Sequence, residues 1–420
     1  MQNLPPFLRE TREEFEKSYM ASYAVISKNT SRLYQDNYEP CKYRTEFQRD
    51  RDRIIHSKAF RRLMDKTQVY MVLEGDHYRN RLSHTLEVSQ VAKALSTYLG
   101  LNTDLVEAIA LGHDLGHTPF GHAVEDVLNN ILKHNCGFKH SYQSLMVVDL
   151  LENKDFSEAQ WGLNLTNHTR YGILNHTKTN KEISIYNNSP DNIVTSNEFK
   201  SIESELVAKT DTLTYLCHDL EDAIKSKHIF DDMRINNGSS FKEFINKLND
   251  FNEIACKVIL QEPFIINSDL SNFKSGLILK ALIEDLVEGT SEQIRQLKIK
   301  DVEDVNNCRE PIVKFNIFEQ HFVDFKKFLT KYVYTSPLAQ QMDTKARYIV
   351  TKLYESFYEN PEQLPYRTRE LYNNAQKGFY SKRKDSGYIL IPERVICNYI
   401  AGMTDRYALE NFKRMFSANY

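Results

Sequence analysis

The sequence predicts an all-α protein with at most minor β structure, and three observations carry that expectation. Glycine is scarce, at 14 of 420 residues, while Leu, Lys, Glu, Asn and Ile are plentiful. Apolar residues recur at helical spacing, as in Leu82, Leu86, Val91, Leu95 and Leu99 of RLSHTLEVSQVAKALSTYL. A β-rich run stands out only near Tyr388–Ile391, where Pro392 interrupts it.

Taken in order, the first 43 residues form a polar, tyrosine-rich arm with a short helix. From Arg44 the chain reads RTEFQRDRDRIIHSKAFRRLMDKTQVY, in which Phe47, Ile54, Ile55, Phe60 and Leu63 punctuate an arginine run. Two readings stay open for it: a charged helix face with intrahelical Asp–Arg pairs, or a surface that faces an anion. The helix over 81–99 stops at Gly100. A second begins at the cap pair Thr103–Asp104 and runs toward His113, until glycine and proline break it between Gly116 and Gly121. A third starts near His122, with Val124, Val127, Leu128, Ile131 and Leu132 on one face, and SLMVVDLLE after His140 reads as a buried helix. Residues 152–200 are rich in Asn and Thr and are expected to be partly helical, then a long loop or a two-stranded excursion. Helix returns in IESELVAKTDTLTYLCHDLEDAIKS, and apolar-periodic segments then alternate with polar joints, the last helix starting at Val395. The expected division is an arm over 1–43, a catalytic core over 44–230 with a variable insertion near 152–200, and a helical C-terminal region over 231–420 packed on the core.

The bulk properties narrow the function classes. A chain this long buries a substantial core without staples. A formal net charge of -3 gives no global push toward nucleic acid or membranes. The 6 cysteines (Cys41, Cys136, Cys217, Cys256, Cys308 and Cys397) form no C-x-x-C pair, so free thiols in a reducing cytosol are expected. The N-terminus has no apolar signal-like region, and no window approaches the ~18 apolar residues of a membrane span. A soluble, cytoplasmic protein with no membrane partner is the expectation.

The chemistry concentrates in Leu111–Glu125, LGHDLGHTPFGHAVE, which holds His113, Asp114, His117, His122 and Glu125. Every buried imidazole needs partners for two nitrogens, so this density points to a metal and the water it activates. His84, among Leu82, Leu86 and Val88, and Asp211, between Val207 and Leu213, add two more polar groups to apolar helix faces. An unpaired carboxylate there is destabilising by several kcal/mol. One divalent cation satisfies His84, His113, Asp114 and Asp211 together, and such mixed ligation suits Mn²⁺, Fe²⁺, Co²⁺, Ni²⁺ or Zn²⁺. Singly, each has a plainer explanation: His84 as a core histidine, the His-Asp dipeptide as chance. His122 and Glu125, three apart on one helix face, can hydrogen-bond as a dyad; the plainer alternative is an acidic first turn at a helix N-terminus. Asp211, Tyr215 and Asp219 share a face at four-residue spacing and line one wall of a pocket, rather than a solvated flank.

The order His84, His113–Asp114, Asp211 resembles the HD phosphohydrolase superfamily, whose helical fold binds metal through H…HD…D. The segments RTEFQRDRDRIIHSKAFRRLMDKTQV, RNRLSHTLEVSQVA, LGHDLGHTPFGHAVE, GFKHSYQSL and CNYIAGMTDRYA closely resemble its deoxyguanosine triphosphate triphosphohydrolase branch, from about Arg44 to the C-terminus. The resemblance implies an HD-domain helical fold with a helical C-terminal extension. It implies hydrolysis of a dNTP, dGTP favoured, to deoxynucleoside and tripolyphosphate by water attack at the α-phosphorus, with Mn²⁺, Mg²⁺ or another first-row divalent ion as cofactor. His84, His113, Asp114 and Asp211 match the family's metal ligands. His122 and Glu125 match its catalytic pair, His122 moving the proton and Glu125 orienting it. His117, in the turn beside them, and Arg81 match phosphate contacts, and His140 a nucleotide-facing histidine. Tyr215 matches a residue that packs on the sugar and excludes a 2′-hydroxyl; Asp219 and Gln68 match residues that hold the 3′-hydroxyl. Family members are homo-oligomers, often hexamers, and some respond to nucleotides or single-stranded DNA at a second site.

Two features depart from the family pattern. Thr212 stands where some members have a lysine, and residues 179–200 are longer than the usual compact connection. Further phosphate contacts are expected from Asn164–Lys178. The competing functions are a 5′-nucleotidase-like HD hydrolase, and a regulator binding single-stranded nucleic acid through Arg49–Arg62 and Lys377–Lys384 with Phe379 and Tyr380 interleaved.

Overall fold

The computed structural model describes residues 8–36, 39–68, 79–135, 137–152, 162–177, 197–225, 246, 249–250, 252–254, 275–378 and 390–417. Among these the regular elements are helical. There is no sheet among them, only isolated antiparallel bridges between Arg32 and Thr166 and between Thr67 and Asn80.

In chain order the α-helices are α1 (Arg9–Tyr19), α2 (Glu46–Ile55), α3 (Lys58–Arg62), α4 (Arg81–Tyr98), α5 (Thr103–Gly112), α6 (His122–Ile131), α7 (His140–Met146) and α8 (Asn167–Asn175). They continue with α9 (Ile202–Lys225), α10 (Ser275–Gln296), α11 (Val302–Asn307), α12 (Glu319–Leu329), α13 (Pro337–Glu359), α14 (Tyr366–Gln376), α15 (Pro392–Ala401) and α16 (Asp405–Phe416).

Helix α5 is apolar on nearly every side, and a helix of that kind belongs in an interior. It is the centre of the molecule, packed against α2, α4, α8 and α9. Its Leu105, Val106, Ile109 and Ala110 join a large apolar cluster that extends through Leu206, Leu213 and Leu216 of α9 to Phe315, Phe322, Val350 and Ile396. Its Ala108 and Leu111 join a smaller cluster on the other side, with Ile54, Phe60, Leu63, Tyr171 and Ile173. The long α9 touches α4, α5, α8, α10 and α12, so it spans from the central helix to the C-terminal layer.

Local signals explain most boundaries. Thr45 and Gln48 form a reciprocal capping box on α2. The cap of α5 is Asn102, whose side chain accepts from the Asp104 and Leu105 amides, and not the expected Thr103–Asp104 pair; Thr103 is already the first helical residue. Pro392 does not interrupt a strand. It opens α15 at the first helical position, where its missing N–H is harmless, so the last segment starts three residues before the expected Val395. Leu390 and Ile391 belong to no strand, and Tyr388 lies outside the described residues.

The helix expected after His140 continues through a π-helical turn, Val147–Leu151. The polar-looking segment after residue 161 contains α8, most of it buried, including Arg170. Most of the 179–200 insertion and of the Lys377–Lys384 cluster lies outside the described residues. No described helix is long and apolar enough to cross a membrane.

Candidate metal centre and adjoining histidine cluster

Helices α4, α5 and α9 converge on three side chains. His84 comes from the first turn of α4, His113 is the C-cap of α5, and Asp211 lies within α9. His84 Nε2 is 3.0 Å from Asp211 Oδ1, and His113 Nε2 is 3.6 Å from the same oxygen. His113 Nδ1–H donates to the Ala110 carbonyl at 2.6 Å, which turns Nε2 inward. That nitrogen, though buried, has no hydrogen-bond partner among the described residues.

The fourth expected ligand, Asp114, is divided. One oxygen lies 3.6 Å from His113 Nε2 and the other accepts from Arg81 Nη1 at 2.7 Å. Arg81, implied by resemblance at the phosphates, thus sits on Asp114, and its buried Nε has no partner among the described residues.

The electrostatics favour a cation at this spot. Burial opposes a charge on His113, but the carboxylates of Asp114 and Asp211 outweigh it and raise its pKa to about 9. Burial works against both carboxylates as well. The surrounding imidazoles, together with Arg81 beside Asp114, nevertheless hold them well below the usual carboxylate range. A buried ring nitrogen with no partner among the described residues, a second imidazole and a carboxylate, their donor atoms within 4.8 Å of one another, fit a divalent ion that would take the place of the His113 Nε2 proton.

Beside this centre lies a second group: His117, His122, Glu125 and His140. Glu125 does not pair with His122 in the expected way. His122 Nδ1 is 3.6 Å from Glu125 Oε2, and that oxygen instead accepts from His140 Nδ1 at 2.8 Å. The cause is local. Phe120 and Gly121 both have positive φ, 60° and 77°, and they turn the chain so that His122 opens α6 facing outward, with 74% of its side chain exposed. Glu125, one turn later, faces inward toward α7. His117 stacks on His140 with ring centroids 4.5 Å apart and meets the edge of His122 at 4.8 Å. Burial and the nearby Arg81 and His140 charges push the His117 pKa well down. Burial acts against Glu125 ionising, but His140 outweighs it and keeps Glu125 strongly acidic.

The turn that carries these residues is fixed from two sides. A Cβ on Gly116 would collide with the backbone of Gln143 and Ser144 in the middle of α7, so only glycine allows that approach. From the C-terminal layer, Asp405 accepts from the Phe120 amide at 2.9 Å and from the Thr67 amide at 2.9 Å. The buried Lys66 ammonium donates to the His117 and Ala401 carbonyls.

On the α9 face, Asp219 is buried. Its Oδ2 accepts from the Tyr334 hydroxyl at 2.5 Å, while Oδ1 has no partner among the described residues. Burial raises its pKa to about 7, against the lowering effect of Tyr334. Tyr215 is half-buried, with Lys326 Nζ 5.8 Å from its ring centroid. Gln68 keeps a buried Oε1 without a partner among the described residues. Thr212 turns its hydroxyl back onto the Ala208 carbonyl at 3.1 Å, away from any ligand role.

Sequence reasoning did not single out two histidines that belong here. His176 Nε2 lies 3.2 Å from His140 Nε2, and His218 Nδ1 lies 2.8 Å from Glu87 Oε2 with its ring edge-on to His84. The imidazoles of His218, His84, His113, His176, His140, His117 and His122 form one continuous row of ring contacts. The spacing from Asp211 to His218, two helical turns on α9, was an available signal; His176, just past the mixed polar and apolar helix α8, offered none.

The arginine run resolves toward internal pairing. Arg49 and Arg53 bind Asp36, Arg49 also binds Glu46, and Arg51 reaches Glu107 of α5.

Comparison with known proteins agrees with this geometry. Residues 81–216 match the HD domain and residues 316–414 match the phosphohydrolase-associated domain. A curated protein of Rickettsia felis, named deoxyguanosinetriphosphate triphosphohydrolase-like protein, is 38% identical over 417 residues, covering 96% of this chain and 99% of the relative. Proteins of the same name from Rickettsia bellii and Rickettsia canadensis are also 38% identical, covering 96% and 94% of this chain and 99% and 100% of theirs.

Proposed function

Because the chain belongs to the HD-domain family of deoxyguanosinetriphosphate triphosphohydrolase-like proteins, we propose that it hydrolyses deoxynucleoside triphosphates, dGTP foremost, to deoxynucleoside and inorganic tripolyphosphate. The observation that carries this reading is the convergence of His84, His113 and Asp211, with a buried His113 Nε2 that has no partner among the described residues, beside the His117–His140–Glu125 group.

In this reading His84, His113, Asp114 and Asp211 hold a divalent metal, Mn²⁺, Mg²⁺ or another first-row ion. When bound, such an ion would supply Lewis acidity toward a water and the α-phosphate. The water oxygen bonds to the α-phosphorus, the bond from phosphorus to the 5′-oxygen breaks, and a proton must reach that oxygen. His122 is exposed at the mouth of the cluster and suits proton transfer. Glu125 acts on it through His140 rather than by a direct bond. His117 and Arg81 supply donors to the phosphates.

Tyr215 packs on the sugar and leaves no room for a 2′-hydroxyl, while Asp219 and Gln68 hold the 3′-hydroxyl. Their partner-free oxygens support that assignment. Cytoplasmic residence fits the free thiols of Cys41, Cys217, Cys308 and Cys397. The alternative of a nucleic-acid-binding regulator loses support, since Arg49, Arg51 and Arg53 are engaged internally.

The test is a panel of the four dNTPs and GTP with Mn²⁺ or Mg²⁺, the phosphorus products resolved by ³¹P NMR. Tripolyphosphate from dGTP is expected, with GTP turned over at least about 100-fold more slowly. Orthophosphate or pyrophosphate in place of tripolyphosphate contradicts the reaction, and equal use of GTP contradicts the role of Tyr215.

A further inference from the structure

Asp405 is the first residue of α16, in the segment CNYIAGMTDRYA, to which the proposed reaction gives no role. An acidic side chain at that position has a plain use, facing the positive end of its own helix dipole. Asp405 does something else. It is buried, and its two oxygens go to different segments of the chain. Oδ1 accepts from the Phe120 amide at 2.9 Å, while Oδ2 accepts from the Thr67 amide at 2.9 Å and from the Thr67 hydroxyl. Lys66, also buried, donates its ammonium to the carbonyls of His117 and of Ala401, the last residue of α15.

Both of the segments held by Asp405 lead into the candidate site. Phe120 has φ 60° although it carries a side chain, and with Gly121 at 77° it turns His122 outward. Such a backbone angle persists only where neighbouring groups over-determine it, and the Asp405 oxygen on the Phe120 amide is such a group. Thr67 directly precedes Gln68, assigned above to the 3′-hydroxyl. The Gln68 carbonyl lies 3.6 Å from where a Cβ on Gly121 would stand, so the two segments run side by side.

We propose that Asp405, seconded by Lys66, is a positioning residue that registers the proton-transfer turn, His117 to His122, against the sugar-holding segment at Gln68. It does so from the stretch matching the phosphohydrolase-associated domain, outside the residues 81–216 that match the HD domain. This inference rests on the proposed function for the roles of His122 and Gln68. Asp405 acts through Phe120 and Thr67, and not on the substrate itself. A carboxylate is required because both oxygens must accept. An amide of the same size accepts on one side only and turns its own N–H groups toward a backbone N–H on the other. Asp405→Asn therefore keeps the shape and releases either the turn or the Gln68 segment. None of the bonds to Asp405 involves His84, His113, Asp114 or Asp211.

The full chain is compared with Asp405→Asn and with Lys66→Met, which removes the ammonium and keeps an unbranched side chain. Amide hydrogen exchange read by mass spectrometry is expected to quicken in peptides covering 117–121 or 66–68 and to stay unchanged across α4 and α9. With dGTP and Mn²⁺, kcat is expected to fall about 10- to 100-fold, with KM within about threefold of wild type and the Mn²⁺-dependent rise in melting temperature kept. A merely structural role would lower the melting temperature and leave the kcat of the folded chains unchanged. Folded variants with wild-type kcat therefore overturn the positioning role, and unchanged exchange in both segments overturns the tie itself. A wild-type chain that turns over no dNTP overturns the proposed function instead, and the exchange comparison then still decides whether Asp405 holds the turn. Rapid exchange throughout 117–121 in the wild type overturns the tie even if neither variant folds.

Discussion

The protein holds two kinds of buried polar group, and they behave oppositely. Near the start of α8, Arg170 is fully buried and closed. It grips Asp149 through two nitrogens at 2.9 and 2.6 Å, and its remaining Nη1 donates to Asn167 at 2.8 Å. Asp50 is closed in the same manner, by Arg32 on one oxygen and by the Thr166 amide and hydroxyl on the other. Around the candidate metal centre the pattern changes. His113 Nε2, His84 Nδ1, His117 Nδ1 and Asp219 Oδ1 are equally buried but have no partner among the described residues. Burying a polar atom without a partner is destabilising by about 1–3 kcal/mol, so one such atom is an accident and a row of them is a binding site. Arg170 and Asp50 are closed by their partners, while the atoms around the candidate metal centre are left open.

The largest expected effect on the closed side is Asp149→Ala. Removing one partner strands a buried guanidinium, which is destabilising by about 3–5 kcal/mol. Urea unfolding followed by circular dichroism should show it, and the double change Asp149→Ala, Arg170→Met should recover part of the loss. A loss below about 1 kcal/mol would mean that Arg170 finds water or another acceptor, and the contrast would weaken.

A smaller effect is expected at Glu203, a buried carboxyl that accepts from the Val25 amide at 3.0 Å and from the Asn102 amide at 3.1 Å. Burial outweighs those hydrogen bonds and raises its pKa from 4.5 to about 7. The folded state therefore holds this proton more tightly than the unfolded chain does. Stability falls as pH rises from the unfolded value through the folded one, and the penalty is complete above it. Glu203→Gln removes that penalty and should be the more stable protein at pH 8 by about 1–3 kcal/mol, with little difference at pH 4. Equal pH dependence of the two proteins would contradict the assignment.

How much of this was legible in the sequence follows from the same contrast. Helical spacing announced α4, α5, α6 and α9, because their apolar faces meet a core directly. The H…HD…D order announced the residues of the candidate metal centre, because unpartnered polar residues on apolar faces are conspicuous. Arg170 and α8 were hidden, since a polar residue with a buried partner looks like any surface residue in one dimension. His176 was hidden for the same reason, its partners His140 and Ile173 coming from α7 and its own helix. The choice of Glu125 for His140 over His122 was also out of reach, because it depends on the two positive-φ residues that rotate His122 outward. The expected metal quartet contains one further surprise of this kind: Asp114 divides its two oxygens between His113 and Arg81.

The most direct measurement of the contrast between closed and open polar groups is thermal unfolding in EDTA and in Mn²⁺ for three proteins: wild type, Asp149→Ala and Asp211→Asn. A ligand that binds only the folded state at 100 times its Kd stabilises by about 2.7 kcal/mol. Wild type should melt higher in Mn²⁺, Asp149→Ala should melt lower in EDTA yet keep the rise, and Asp211→Asn should lose most of it. No rise in the wild type, or the same rise in Asp211→Asn, would contradict the claim that the open nitrogens and carboxylates are a metal centre.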